Sequence, residues 1–113
     1  MIDMAKIMEN LNAATLACDA EFKIIYANRK CKKMFKASLQ AVDFVGNNMA
    51  DCHKPETMDK LKLLFDEYKQ KTRGLDYYTI ETPDGKLTLV NVPFYDGDTF
   101  GGVVEFIFES ALG

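Results

Sequence analysis

Few residues in this chain are equipped for chemistry. His53 is the only imidazole in 113 residues, which leaves no room for a His-rich metal site or a full acid–base apparatus. Cys18, Cys31 and Cys52 form no Cys-x-x-Cys pair, and an odd count of this kind reads as reduced thiols of a cytosolic protein. Cys18 falls in an expected strand and Cys31 on an apolar helix face, where a thiol behaves as a small buried hydrophobe. Cys52 is the better candidate for reactivity. Cys52-His53 supplies the end of a Cys-x-x-Cys-His haem-attachment run, but residue 49 is Met, so covalent attachment is excluded.

The remaining chemistry-bearing residues point away from catalysis. The order of the chain supports no Ser/His/Asp arrangement, and Asp51 and Glu56 read as surface or helix-start charges. Gly97, Gly101 and Gly102 lie between two strands, not at the strand-to-helix step of a phosphate loop. Arg29, Lys30, Lys32, Lys33 and Lys36 concentrate positive charge on one short segment. Such a run serves either propionates, phosphates or an acidic partner, or simply forms a solvated helix face, which is the reading adopted. The chain is therefore not expected to be an enzyme.

The elements that hold these residues follow from periodicity and turn chemistry. Met4, Ile7, Met8 and Leu11 recur at helical spacing over residues 3–11. Residues 14–19 and 23–27 read as a hairpin about Asp19-Ala20-Glu21. Asn28 stands as N-cap before a short helix with Cys31, Met34 and Phe35 on one face. Residues 37–54 read as irregular, broken by Gly46-Asn47-Asn48. Pro55, at a first helical position where its missing N–H is harmless, opens a helix to about residue 71. Its apolar stripe is Met58, Leu61, Leu64, Phe65 and Tyr68.

Strands follow at 75–81, 86–95 and 102–109, separated by Thr82-Pro83-Asp84-Gly85 and Asp96-Gly97-Asp98. Leu87 and Leu89 on one face and Val90, Val92 and Phe94 on the other make both faces of this sheet apolar. A sheet with one wet face alternates more cleanly, so the outer face is expected to be covered by the N-terminal helix or a second subunit.

Composition agrees with one α+β domain. Hydrophobic residues make up 48% and charged residues 27% of the chain. The net charge of −3 argues against a nucleic-acid module. The longest uncharged stretches, 10–18 and 87–95, are too short to span a bilayer, and no signal peptide precedes the fold, so no membrane association is expected.

The order strand–strand–helices–strand–strand–strand resembles a PAS domain across residues 12–109. Ile24-Ile25-Tyr26-Ala27-Asn28 looks like the second PAS strand and its capping Asn. Val45-Gly46 matches the hydrophobic-Gly step before the pocket helices. Val92-Pro93-Phe94-Tyr95-Asp96-Gly97 followed by Phe100-Gly101-Gly102-Val103-Val104 resembles the last hairpin. Glu109-Ser110-Ala111-Leu112-Gly113 departs from the Asp-Ile-Thr-like ending of many PAS domains.

The resemblance implies a five-stranded antiparallel sheet with helices on one face, preceded by an amphipathic helix at 1–11 and followed by a tail at 110–113. It further implies a signal-sensing domain that holds a small molecule or cofactor between the 55–71 helix and the last strands. The expected lining is Ile25, Met34, Met49, Met58, Leu61, Phe65, Tyr78, Val90, Val92 and Phe106. Met4, Ile7, Met8 and Leu11 are the expected homodimer contacts, and a downstream signalling effector is the expected partner.

The cofactor follows from the same comparison. Flavin adduct chemistry of the LOV type needs Gly-x-Asn-Cys, and Gly46-Asn47-Asn48-Met49 carries Met in place of the thiol. His53-Lys54-Pro55-Glu56-Thr57-Met58-Asp59-Lys60-Leu61 resembles a His-x-Pro-x-Ser/Thr-x-Asp-Lys-aliphatic run in a PAS subgroup that includes haem-binding gas sensors. That resemblance makes His53 the candidate ligand of a b-type haem iron, with Met49, Tyr78 or Cys52 as open choices for a second axial ligand. A cofactor-free interaction module and a pocket for an apolar metabolite are the alternatives.

Overall fold

Asn28 organises the N-terminal half of the molecule. Its Oδ1 accepts the Cys31 N–H at 2.9 Å, the helix cap expected from sequence, and also the Thr15 N–H at 3.0 Å. Its Nδ2 donates to the carbonyls of Met8 and Ala13 at 3.0 and 2.9 Å. One fully buried side chain thus ties an N-terminal helix, a strand and a second helix together.

The computed structural model describes residues 2–39, 45–51 and 53–109. In chain order the elements are α1 (Met4–Glu9), β1 (Ala14–Asp19), β2 (Ile24–Ala27) and α2 (Arg29–Leu39). A 3₁₀ turn (Met49–Asp51), α3 (Pro55–Lys69), β3 (Asp76–Thr82), β4 (Gly85–Asp96) and β5 (Thr99–Phe108) complete them. The five strands form one antiparallel sheet in the order β2-β1-β5-β4-β3. This is the α+β, PAS-like architecture expected from sequence, and no described helix is long and apolar enough to cross a membrane.

Helix α3 lies on the inner face of the sheet through the stripe read from sequence. Met58, Phe65 and Tyr68 are buried, and Leu61 and Leu64 pack against the core. An aromatic cluster fixes its angle: Phe65 stacks on Phe22 with ring centroids 4.3 Å apart and meets Phe100 edge-on at 5.4 Å. The buried Tyr68 hydroxyl donates to the Asn91 carbonyl, and the Tyr95 hydroxyl donates back to the Tyr68 carbonyl at 2.7 Å. Beyond the C-terminal end of α3, Arg73 reaches Glu67 at 2.6 Å and Asp76 at 3.2 Å, holding the turn into β3.

The β4–β5 hairpin contains one irregularity that decides which side chains face α3. Tyr95 pairs with Phe100, but Phe94 pairs with Gly102, so Gly101 is an extra residue on β5. Phe100 points inward, and beyond the extra residue the inward positions become Val103, Glu105 and Ile107. Gly102 has a φ of +152°, and a Cβ there would collide with the Cys18 carbonyl oxygen and sit 2.9 Å from the Asp19 Cα. Only glycine lets β1 and β5 come this close.

The outer face is apolar, as expected, but α1 does not bury it. Thr88, Val90, Val92 and Phe94 of β4 stand beside Val104, Phe106 and Phe108 of β5. Phe106 and Phe108 stack on each other at 6.3 Å. Tyr77 remains 64% exposed on the same face. Helix α1 has no buried residue; Met4 is 69% exposed, while the Tyr26 hydroxyl donates to Glu9 near the sheet edge.

Candidate functional site

A small cavity sits between α3, the 3₁₀ turn and the middle of the sheet. Its walls are Leu16 and Cys18 of β1, Val103 and Glu105 of β5, Asn91 of β4, Leu61, Leu64 and Phe65 of α3, and Met49. Its volume is about 20 Å³, room for about one water molecule. The 3₁₀ turn that presents Met49 is held by backbone bonds to the first hairpin: Met49 N–H donates to the Phe22 carbonyl and Ile24 N–H to the Asn47 carbonyl, both at 2.9 Å.

Two polar side chains interrupt these apolar walls. Asn91 and Glu105 are direct cross-strand partners. Asn91 is only 7% exposed. Glu105 as a residue is partly covered, and loss of hydration raises its carboxyl from the usual range to about 7. Among the described residues no ion pair neutralises it. Tyr78 has a raised pKa too, chiefly through its own burial and then through Glu105 and Asp76.

The structure divides the predicted lining residues. Met49, Leu61 and Phe65 line the cavity. Met58 is buried in the core and Met34 packs against it, both outside the cavity wall. Ile25 is 46% exposed on the β2 edge strand. Tyr78 lies on the inner face of β3 but outside the wall. Val90, Val92 and Phe106 lie on the outer face, because inward positions alternate with them at Asn91 and Glu105. Sequence reasoning missed Leu16, Cys18, Leu64, Val103 and, above all, the polar pair.

His53 is exposed and lies outside the cavity wall. Its Nδ1 lies 2.8 Å from the Met49 carbonyl oxygen, and because a carbonyl can only accept, Nδ1 carries the proton. Haem needs a slot on the scale of ordinary ligand pockets, about 300 Å³ or more. A cavity of about 20 Å³ that His53 does not line does not fit a porphyrin. Cys52, one of the open choices for a second axial ligand, lies outside the described residues.

Other candidates settle into structural roles. Burial pushes the Cys18 thiol up to about 11 and the Cys31 thiol up to about 12, so both stay protonated and unreactive at neutral pH. Arg29, Lys32 and Lys33 are exposed, whereas Lys30 contacts Asn12 at 3.0 Å and Glu109 at 3.4 Å. Of this run, Lys36 has a side chain outside the described set. Among the described residues no cluster of three or more metal-ligating side chains occurs.

A family model described as a PAS domain matches residues 4–109. No curated protein matches the chain. Among solved structures, a C-terminal domain from Streptococcus mutans is similar at 21% identity and a TM-score of 0.73, covering 91% of this chain and 79% of that one. A sensory box sensor histidine kinase from Vibrio cholerae is similar at 16% identity and a TM-score of 0.62, with 97% and 90% covered. The PAS domain of nitrogen regulation protein NR(II) from Vibrio parahaemolyticus is similar at 20% identity and a TM-score of 0.59, with 93% and 97% covered. With the family match spanning nearly the whole chain, this protein belongs to the PAS domain family.

Proposed function

We propose that this PAS domain is a sensor that takes a small molecule into the cavity beneath α3 and reports occupancy through that helix. The observation that carries the reading is the cavity itself: a gap at the centre of the fold walled by three strands, α3 and Met49. Its size makes the signal. A ligand larger than water enters only by displacing Leu61, Leu64 or Met49, and two of these belong to α3. Close-packed interiors transmit such displacements instead of absorbing them. Ligand binding then shifts α3 between two positions on the sheet, and an effector that reads one of them is the downstream partner.

The half-open outer face, with the exposed Met4 and Ile7 of α1 beside Met8 and Leu11, supports a homodimer as the output form. Two buried free thiols are consistent with a reducing cytoplasm. On this reading the domain binds and signals and performs no catalysis.

The test fills the cavity. Leu61→Phe places a ring in the gap while keeping an apolar stripe on α3. Thermal-shift screening of a small-metabolite library against the wild-type chain finds compounds that raise Tm, and the variant loses that response while remaining folded. A library without a single stabilising compound, or hits that stabilise Leu61→Phe equally, removes the cavity from the account. Sedimentation of Ile7→Asp beside the wild type tests the dimer separately.

A further inference from the structure

The geometry points to a ligand class: Glu105 and Asn91 form the head-group site for a small cationic amine, whose short apolar tail lies between Leu61 and Leu64. This rests on the cavity being the sensor's ligand site and adds what that site selects.

Four observations lead there. First, Glu105 and Asn91 are directly opposed on neighbouring strands, which sets their Cβ atoms about 5 Å apart with both heads on the cavity side. A single ammonium can therefore reach both. Second, both polar side chains have open hydrogen-bonding capacity, the Glu105 carboxylate and the Asn91 Oδ1 as acceptors. Among the described residues no side chain or backbone N–H donates to the Glu105 carboxylate, and the Asn91 side-chain amide makes no hydrogen bond, although the Asn91 backbone carbonyl accepts the Tyr68 hydroxyl.

Third, among the described residues no cation forms an ion pair with the carboxylate. Cys18 of β1, Cys31 of α2 and Tyr78 of β3 are near enough to feel its charge, and Asp76, itself paired with Arg73, stands in the same row one strand beyond Asn91. Helix α3 presents only apolar side chains there. A lone carboxylate in such surroundings is costly, and an apolar residue of similar shape would be more stable. A bound ammonium supplies the missing countercharge and its N–H donors at once. Fourth, the gap has room for about one water, the size of an ammonium group, so the tail must be short and must displace the flexible Met49.

The chemistry discriminates between ligand classes. A carboxylic acid brings like charge to Glu105, and an alcohol leaves the charge uncompensated. Amine affinity also follows pH. The proton and the ammonium compete for the same carboxylate, so affinity is full above about pH 7, where Glu105 is raised to titrate, and falls as the pH drops through that value.

The experiment is a ¹³C-carboxyl and amide NMR titration of the 113-residue chain at pH 8. The probes are methylammonium, n-butylammonium, n-butanol and butyrate, added to the wild type and to Glu105→Gln. The expected result is saturable shifts at Glu105 and Asn91 with the two amines, and a fall in the Glu105 pKa on binding. Charge-assisted bonding predicts an affinity about tenfold to a hundredfold weaker in Glu105→Gln. Butyrate binding as well as butylammonium, or amine shifts that survive in Glu105→Gln, overturns the proposal. Butanol binding equally to both chains overturns it while leaving the cavity as a sensor site for neutral compounds. If no amine moves Glu105 in the wild type, the proposal is also overturned, and the metabolite screen on Leu61→Phe then decides the sensor reading on its own. Should Glu105→Gln fail to fold, the wild-type Glu105 titration alone decides.

Discussion

Replacing Glu105 by Gln isolates the cost of a carboxyl inside this cavity. The carboxyl titrates at about 7 in the folded chain against an ordinary value of 4.5. At about 1.4 kcal/mol per unit, ionising it in the folded state costs at most about 3.5 kcal/mol. Glu105 keeps some exposure and Gln must bury an amide of its own, so about 2 kcal/mol is the working figure. The sign follows from proton counts. Between pH 4.5 and 7 the folded chain holds more protons at this site than the unfolded chain, so the site's contribution to stability falls as pH rises. Below 4.5 both states are protonated and the penalty vanishes; above about 7 it is fully present. Urea unfolding of both chains from pH 5 to 8.5 measures the difference, and groups common to both cancel. Glu105→Gln should match the wild type near pH 5 and exceed it by about 2 kcal/mol at pH 8.5, equivalent to about 8 °C in Tm. A difference that stays flat across this range, or that favours the wild type at high pH, refutes the assignment of a desolvated carboxyl.

Three further outcomes are expected. Asn28→Ala removes a helix cap and leaves the buried Thr15 N–H without its acceptor, while the Ala13 carbonyl keeps only the Thr15 hydroxyl, which should cost about 2–4 kcal/mol in urea unfolding. Gly102→Ala forces a Cβ into β1 at a φ that L-residues rarely adopt, and should cost about 3 kcal/mol or more, read from the shift in urea midpoint. In a Cys52→Ser background, Cys18 and Cys31 should stay unreactive toward an aromatic disulfide reagent at pH 8 until the chain is unfolded, because their thiols titrate near 11 and 12.

The sequence displayed its elements well and its cavity badly, for one physical reason. The stripe on α3, the cap at Asn28 and the turn at Pro83-Asp84 are local signals, set within a few residues by helical period or backbone preference. Facing in a sheet is settled by register, and both faces of β4 and β5 are apolar, so hydrophobicity alone assigns neither side. Val90, Val92 and Phe106 looked like lining because they are large and apolar. A regular hairpin about Gly97 would have set Glu105 opposite Val90 and turned Phe106 inward. The extra residue at Gly101 shifts the pairing by one, which places Asn91 opposite Glu105 and turns Phe106 outward. The Gly101-Gly102 pair was the available sign of a bulge, and a Glu in the middle of an otherwise apolar strand was the sign of a functional position.

The strand order has a consequence for how the molecule comes into being. β5 emerges last of the five strands from the ribosome, yet it lies in the middle, joining the β2-β1 pair to the β4-β3 pair. Until it arrives the nascent chain holds two hairpins and three helices with no shared sheet, each too small to persist alone. The decisive pairing, β1 with β5, closes a loop of more than eighty residues, so it comes late and slowly. The cavity has no earlier existence either, since Val103 and Glu105 arrive on that same strand. A chain cut short just before β5 would therefore be two unconnected halves, lacking both the sheet and the place where a ligand binds.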